Sequence, residues 1–159
     1  MKIMKSTLLS LFLLCFFCLS AAAQGNSFTN RVLAKIQDDG TVKWHVTEAQ
    51  INEYLTSVLN IDLEIRGEIT TSTIMYLTDL GYWVIQGQGT EDNDPGLSRQ
   101  IRVELEIVGN GNLQVKAQGL TTSCVGTRCS TCKVHVTLCG CDVPSGENAS
   151  CTSKTARTK

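Results

Sequence analysis

Arg99-Gln100-Ile101-Arg102-Val103-Glu104-Leu105-Glu106-Ile107-Val108 is the stretch that decides the fold. Ile101, Val103, Leu105 and Ile107 recur at every second position, with Arg102, Glu104 and Glu106 between them. Successive side chains of a strand point to opposite faces, so the pattern predicts a β-strand with one apolar and one solvated, charged face. A strand of that kind belongs to an antiparallel sheet with one covered side, because strands of parallel sheets are apolar on both faces.

The neighbouring segments extend the sheet. Gly109-Asn110-Gly111-Asn112 reads as a turn, after which Leu113, Val115 and Ala117 resume the alternation. Upstream, Ile74 to Leu77 and Tyr82 to Ile85 are short apolar runs separated by Thr78-Asp79-Leu80-Gly81. Ile61, Leu63 and Ile65, alternating with Asp62, Glu64 and Arg66, form a further strand candidate. Val32 to Ile36 and Val42 to Val46 flank Asp38-Asp39-Gly40, a turn that predicts a hairpin with Trp44 on the face of Val42 and Val46 and His45 pointing to solvent. One helix is expected to cover the sheet. Thr47-Glu48-Ala49-Gln50 fits a capping box, and Ile51, Tyr54, Leu55, Val58 and Leu59 follow on one helical face, ending near Asn60.

The start of the chain predicts export. Lys2 and Lys5 precede an apolar run from Leu8 to Leu19 interrupted only by Ser10, and Ala21-Ala22-Ala23 then offers a cleavage site before Gln24. The run is shorter than the roughly 20 residues of a membrane-spanning helix, and small residues follow it at once. Residues 1–23 are therefore read as a signal peptide, and Cys15 and Cys18 leave with it. No span is expected afterwards, and the compartment is secreted or periplasmic. The mature part keeps 12 of the 14 basic residues and all 15 acidic ones, a net charge of −3. That balance argues against nucleic-acid binding, which needs a concentrated basic surface. Lys154, Arg157 and Lys159 read as a solvated polar terminus.

The remaining six cysteines, Cys124, Cys129, Cys132, Cys139, Cys141 and Cys151, all fall late in the chain. An even number so closely spaced in an exported protein reads first as three disulfides. The segment has few large apolar residues, and cross-links of about 2–4 kcal/mol each would order it instead. Six cysteines allow 15 pairings, among which sequence does not choose. Cys139 and Cys141, alternate residues on an extended chain, point the same way and are not expected to pair with each other.

Two metal readings stand beside the disulfides. Cys124-Val125-Gly126-Thr127-Arg128-Cys129-Ser130-Thr131-Cys132 combines C-x4-C-x2-C spacing with a glycine inside the loop and a Cys-Ser-Thr-Cys ending. In these nine residues the chain resembles the cluster loop of plant-type [2Fe–2S] ferredoxins. The resemblance implies Cys124, Cys129 and Cys132 as cluster ligands, a fourth thiolate from elsewhere, and electron transfer. Zinc is the other option, with Cys129, Cys132, Cys139 and Cys141 and the intervening His135 as candidate ligands. His135, beside Val134 and Val136 on an expected strand, otherwise reads as an exposed polar residue.

Other signals are weaker. Glu91-Asp92-Asn93-Asp94-Pro95-Gly96 lacks the register of a calcium loop and reads as a turn between strands. Gly87-Gln88-Gly89 lacks the third glycine and following helix of a phosphate site. Glu104 and Glu106 share a strand face with nothing to mark a cleft, and Asn148-Ala149-Ser150 fits a glycosylation acceptor. There is no nucleophile elbow or metalloprotease helix motif, and His45 and His135 sit in no recognisable catalytic context.

The expectation is one α+β domain: an antiparallel sheet of hairpins and meander packed by one amphipathic helix (residues 24–120), continued by a cysteine-rich, disulfide-tied segment (residues 121–159). No catalytic residue and no cofactor is assigned. The expected function is a small secreted or periplasmic binding or structural protein, with an unidentified protein or small molecule as partner. The chain otherwise resembles short exported bacterial proteins with an Ala-rich cleavage site before Gln.

Overall fold

The computed structural model describes residues 28–91, 94–135, 138–144 and 147–158. The expected leader, Asp92-Asn93 of the acidic turn, Val136 and Lys159 lie outside these residues. The elements run β1 (Val32–Ile36), β2 (Val42–Trp44), α1 (Glu48–Ser57), a π-helical turn (Val58–Asp62), β3 (Glu68–Leu77), β4 (Tyr82–Glu91), β5 (Asp94–Val108), β6 (Asn112–Val115), β7 (Leu120–Thr127), β8 (Cys129–His135), β9 (Leu138–Pro144) and β10 (Ser150–Arg157). Sheet dominates, so α+β fits only loosely: ten strands accompany one α-helix among the described residues.

The alternating stretch is the centre of this sheet. One edge of β5 pairs with β4 from Asp94 to Leu105. Its other edge pairs first with β7, at Arg99 to Val103, and then with β6, at Leu105 to Val108. From β6 the sheet continues to β1 and β2, and from β7 to β10. All these pairings are antiparallel.

The first face of β5, with Ile101, Val103 and Leu105, meets Ile51, Tyr54, Leu55, Val58 and Leu59 in one buried cluster. The apolar stripe of α1 is buried here as its spacing requires. The capping box is formed on both sides: the Gln50 N–H donates to Thr47 Oγ1, and the Thr47 N–H to Gln50 Oε1. Gly87 and Gly89 serve this packing. A Cβ on Gly87 would lie 2.7 Å from both Leu55 Cδ1 and Ile69 Cγ2. Gly89 stands opposite the bulge between Ile69 and Thr71, where the backbone of Glu68 crosses too closely for any side chain.

The helix also closes an edge. Unpaired strand edges invite further strands, and among the described residues β3 pairs with β4 alone. Polar residues at every fourth position of the helical segment satisfy its outer backbone. Glu48 accepts from the Ser72 N–H, Asn52 donates to the Thr70 carbonyl, and Thr56 accepts from the Ile69 N–H. Asn60, in the π-helical turn, binds both the N–H and the carbonyl of Gly67. This clamp explains why Ile61, Leu63 and Ile65 do not form the expected strand. The helical segment runs on through Asp62, leaving Ile61 70% exposed and Leu63 buried.

Two further expectations are corrected. The tail is a strand, Ser150 to Arg157 pairing with β7 along its whole length, although its Lys154 and Arg157 side chains are exposed as expected. The second face of the sheet is not simply solvated. The β8–β9 hairpin covers part of it, and Gln100 and Glu104 are buried there.

Candidate functional site

The cysteines lie on four adjoining strands. Cys124 is in β7, Cys129 and Cys132 in β8, Cys139 and Cys141 in β9, and Cys151 in β10. The chain reverses from β7 to β8 at Arg128, whose φ of 52° places it in the left-handed region. Along β8, Cys129, Cys132 and Val134 are buried, while Ser130, Lys133 and His135 are exposed. The buried side faces the second side of β5, where the fully buried Gln100 accepts the Val134 N–H. Across the hairpin Lys133 pairs with Asp142, and Ser130 donates to the Val143 carbonyl.

The six cysteines fall into three pairs at disulfide distance. The Cα separations are 5.6 Å for Cys124 and Cys139, 5.8 Å for Cys129 and Cys141, and 6.4 Å for Cys132 and Cys151. All lie in the span that a disulfide bridges without moving the backbone. Cys139 and Cys141 have different partners, as the alternation predicts. The pairs join β7 to β9, β8 to β9, and β8 to β10. With Val134 they form a second small core, separate from the one under α1.

The pairs are also in contact with one another. The Cys124 and Cys132 sulfurs are 2.9 Å apart, and those of Cys129 and Cys151 3.6 Å. Two trios therefore have sulfurs within 4.8 Å: Cys124, Cys132 and Cys139, and Cys129, Cys132 and Cys151. Neither is the ferredoxin-like set of Cys124, Cys129 and Cys132, whose members each pair with a different cysteine. The nine residues carrying that spacing are the end of β7 and the start of β8, hinged at Arg128. His135 of the zinc reading is exposed and packs against Gly140.

Beside the hairpin the second face stays open as a groove of about 270 Å³. Its lining comes from the end of β3 and the turn after it (Tyr76 to Leu80), from Arg102 on β5, and from Val134 and His135 on β8. Arg102 Nε donates to Gln86 Oε1 at 2.7 Å. Burial depresses the Arg102 pKa, opposed by the Tyr82 phenol, although a guanidinium stays charged at any ordinary pH. Burial, aided by the charge of Glu104, pushes the Tyr82 phenol up.

Glu104 is not a solvent-facing charge, and it makes no pair with Glu106. It binds Lys116 Nζ and the Leu120 N–H, whereas Glu106 accepts from Gln114. Burial raises its pKa, but the Lys116 and Leu120 donors and the charges of Lys116 and Arg157 outweigh that and hold it below the usual carboxylate range. Glu91, from the acidic turn, pairs with the buried Arg99, whose guanidinium also donates to the carbonyls of Arg66, Leu97 and Ser98. His45 is exposed, as expected.

The chain matches no family model, no curated protein and no solved structure. Function has to be read from this geometry. Sequence reasoning missed Gln100 and Arg102, since polar residues facing away from a helix-covered side read as solvated. The one available signal was Val134 between cysteines, an apolar residue on a hairpin that must cover something.

Proposed function

We propose that the mature chain is an exported binding module of α+β type in which three disulfides, Cys124–Cys139, Cys129–Cys141 and Cys132–Cys151, fix a hairpin as the wall of a ligand groove. The observation that carries this reading is the set of three cysteine pairs at disulfide distance, each joining a different pair of strands. The leader supplies the route to an oxidising space in which such bonds persist. No helix among the described residues is long and apolar enough to cross a membrane. A secreted or periplasmic location and a protein or small-molecule ligand follow from the same reading.

The sulfur trios favour a second reading, a thiolate metal site. Cys124, Cys132 and Cys139 are the kind of soft, compact donor set that zinc takes, given one more ligand. An iron–sulfur carrier is the third, resting on the ferredoxin-like spacing. One experiment separates them: the mass of the mature protein from its exported fraction, native and then denatured with a thiol-alkylating reagent. Three disulfides give a denatured mass about six hydrogens below the reduced value, with no added alkyl groups. Alkylation of the thiols, with zinc or with iron and sulfide in the native mass, overturns the leading reading in favour of the metal found.

A further inference from the structure

Among the described residues Arg102 is a cation without a carboxylate partner. It sits half-buried on the second face of β5, and among the described residues its hydrogen-bond partner is the neutral Gln86. The acids nearby along the strand are engaged elsewhere, Glu104 with Lys116 and Glu106 with Gln114. Gln100, the preceding side chain on this face, is taken by Val134. With Nε on Gln86, the terminal guanidinium nitrogens keep the planar fork that binds a carboxylate through two parallel hydrogen bonds. Asp79 is the one acid lining the groove; it is exposed and makes no ion pair with Arg102 among the described residues.

The rest of the lining sets the class of ligand. The exposed lining is mostly polar, with the exposed His135 at its side; Leu77, Leu80 and the Tyr76 ring add the apolar part, and Val134 lies buried beneath it. A volume of about 270 Å³ is small for a ligand site. One guanidinium balances one negative charge, so a phosphate dianion would be left undercompensated.

We propose that this groove binds a small monocarboxylate bearing a compact apolar group, with the Arg102 fork on the carboxylate and the Tyr76 ring, Leu77 and Leu80 against the apolar part. The proposal rests on the binding-module reading, in which the cysteine hairpin holds Val134 and His135 in place. It assigns Arg102 as the specificity-determining residue.

The probe is benzoate, titrated into isotope-labelled mature protein and followed by amide shifts, with the disulfide state of the same sample checked by mass. Shifts are expected at Leu77 to Leu80 and at Val134 and His135, whereas benzyl alcohol, the same ring without the charge, leaves them in place. Arg102→Gln should weaken binding by about tenfold or more, the loss of one charge-assisted pair. Arg102→Lys, which keeps the charge but not the fork, should weaken it less and guards against a folding defect in the first variant. Asp79→Asn should bind at least as tightly as the parent. Benzoate binding that is absent, matched by benzyl alcohol, unchanged in a folded Arg102→Gln or weakened in Asp79→Asn overturns the proposal. If that happens with three disulfides intact, only the ligand class falls; free thiols or bound metal bring down the binding-module reading itself.

Discussion

The two faces of β5 are covered in different ways. Under α1, Ile101, Val103 and Leu105 join a continuous apolar core that needs no cross-link. On the reverse face Gln100 and Arg102 meet a hairpin in which, among the described residues, Val134 is the one large buried apolar side chain, packed with the cysteines. The first layer is held by area removed from water, about 25 cal/mol per Å². The second has little apolar area, and in the proposed reading it depends on the cysteine pairs. A polar sheet face can thus be roofed without becoming apolar, and the part left open keeps Arg102 at the surface of a groove.

Four perturbations sharpen this contrast. The largest effect is expected on the apolar side. Leu55→Ala, at a fully buried side chain under the sheet, should cost about 2–5 kcal/mol by denaturant unfolding, with reductant making little difference to the increment. On the sulfur side, replacing Cys132 and Cys151 together by serine should cost about 2–4 kcal/mol and loosen β8 and β10 first. A smaller effect belongs to the helix clamp. Asn60→Ala removes two hydrogen bonds to Gly67 and should cost about 1–2 kcal/mol, with faster exchange of the Gly67 and Ile69 amides.

The smallest effect depends on pH. The folded-state pKa of Glu104 is depressed, so its stabilisation is fully present above the ordinary carboxylate pKa of about 4.3. It disappears as pH falls through the lower folded value. Glu104→Gln should therefore cost about 1 kcal/mol at pH 7, since Lys116 is partly exposed and screened, and almost nothing near pH 2, as read by parallel urea titrations.

What the sequence disclosed divides along the same line. The alternation at Arg99 to Val108 and the box at Thr47 to Gln50 locate the central strand and the helix, because period and capping are local properties of the chain. The helix clamp was illegible. Glu48, Asn52, Thr56 and Asn60 look like the wet side of an amphipathic helix, and only tertiary placement turns them toward a strand edge. The same placement carried the helical segment through Ile61, against its strand-like alternation with Leu63 and Ile65. The strand in the tail was hidden by composition, since its exposed serines, threonines and basic residues pair with β7 chiefly through the backbone. At the site, the cysteines announce themselves, but their pairing depends on which strands the hairpin lies against. Arg102 and Glu104 have the same appearance in the sequence, yet one is paired with a lysine and the other lines a groove.

The most direct test of the division into an apolar layer and a sulfur-held layer is native hydrogen exchange of the mature protein, before and after reduction and alkylation of its cysteines. Expected is a loss of protection at β8, β9 and the Cys151 end of β10, with α1, β4 and the centre of β5 still protected. If β4 and β5 lose protection together with the hairpin, or if the hairpin is unaffected by reduction, the sulfur pairs do not hold a separate layer and the division is wrong.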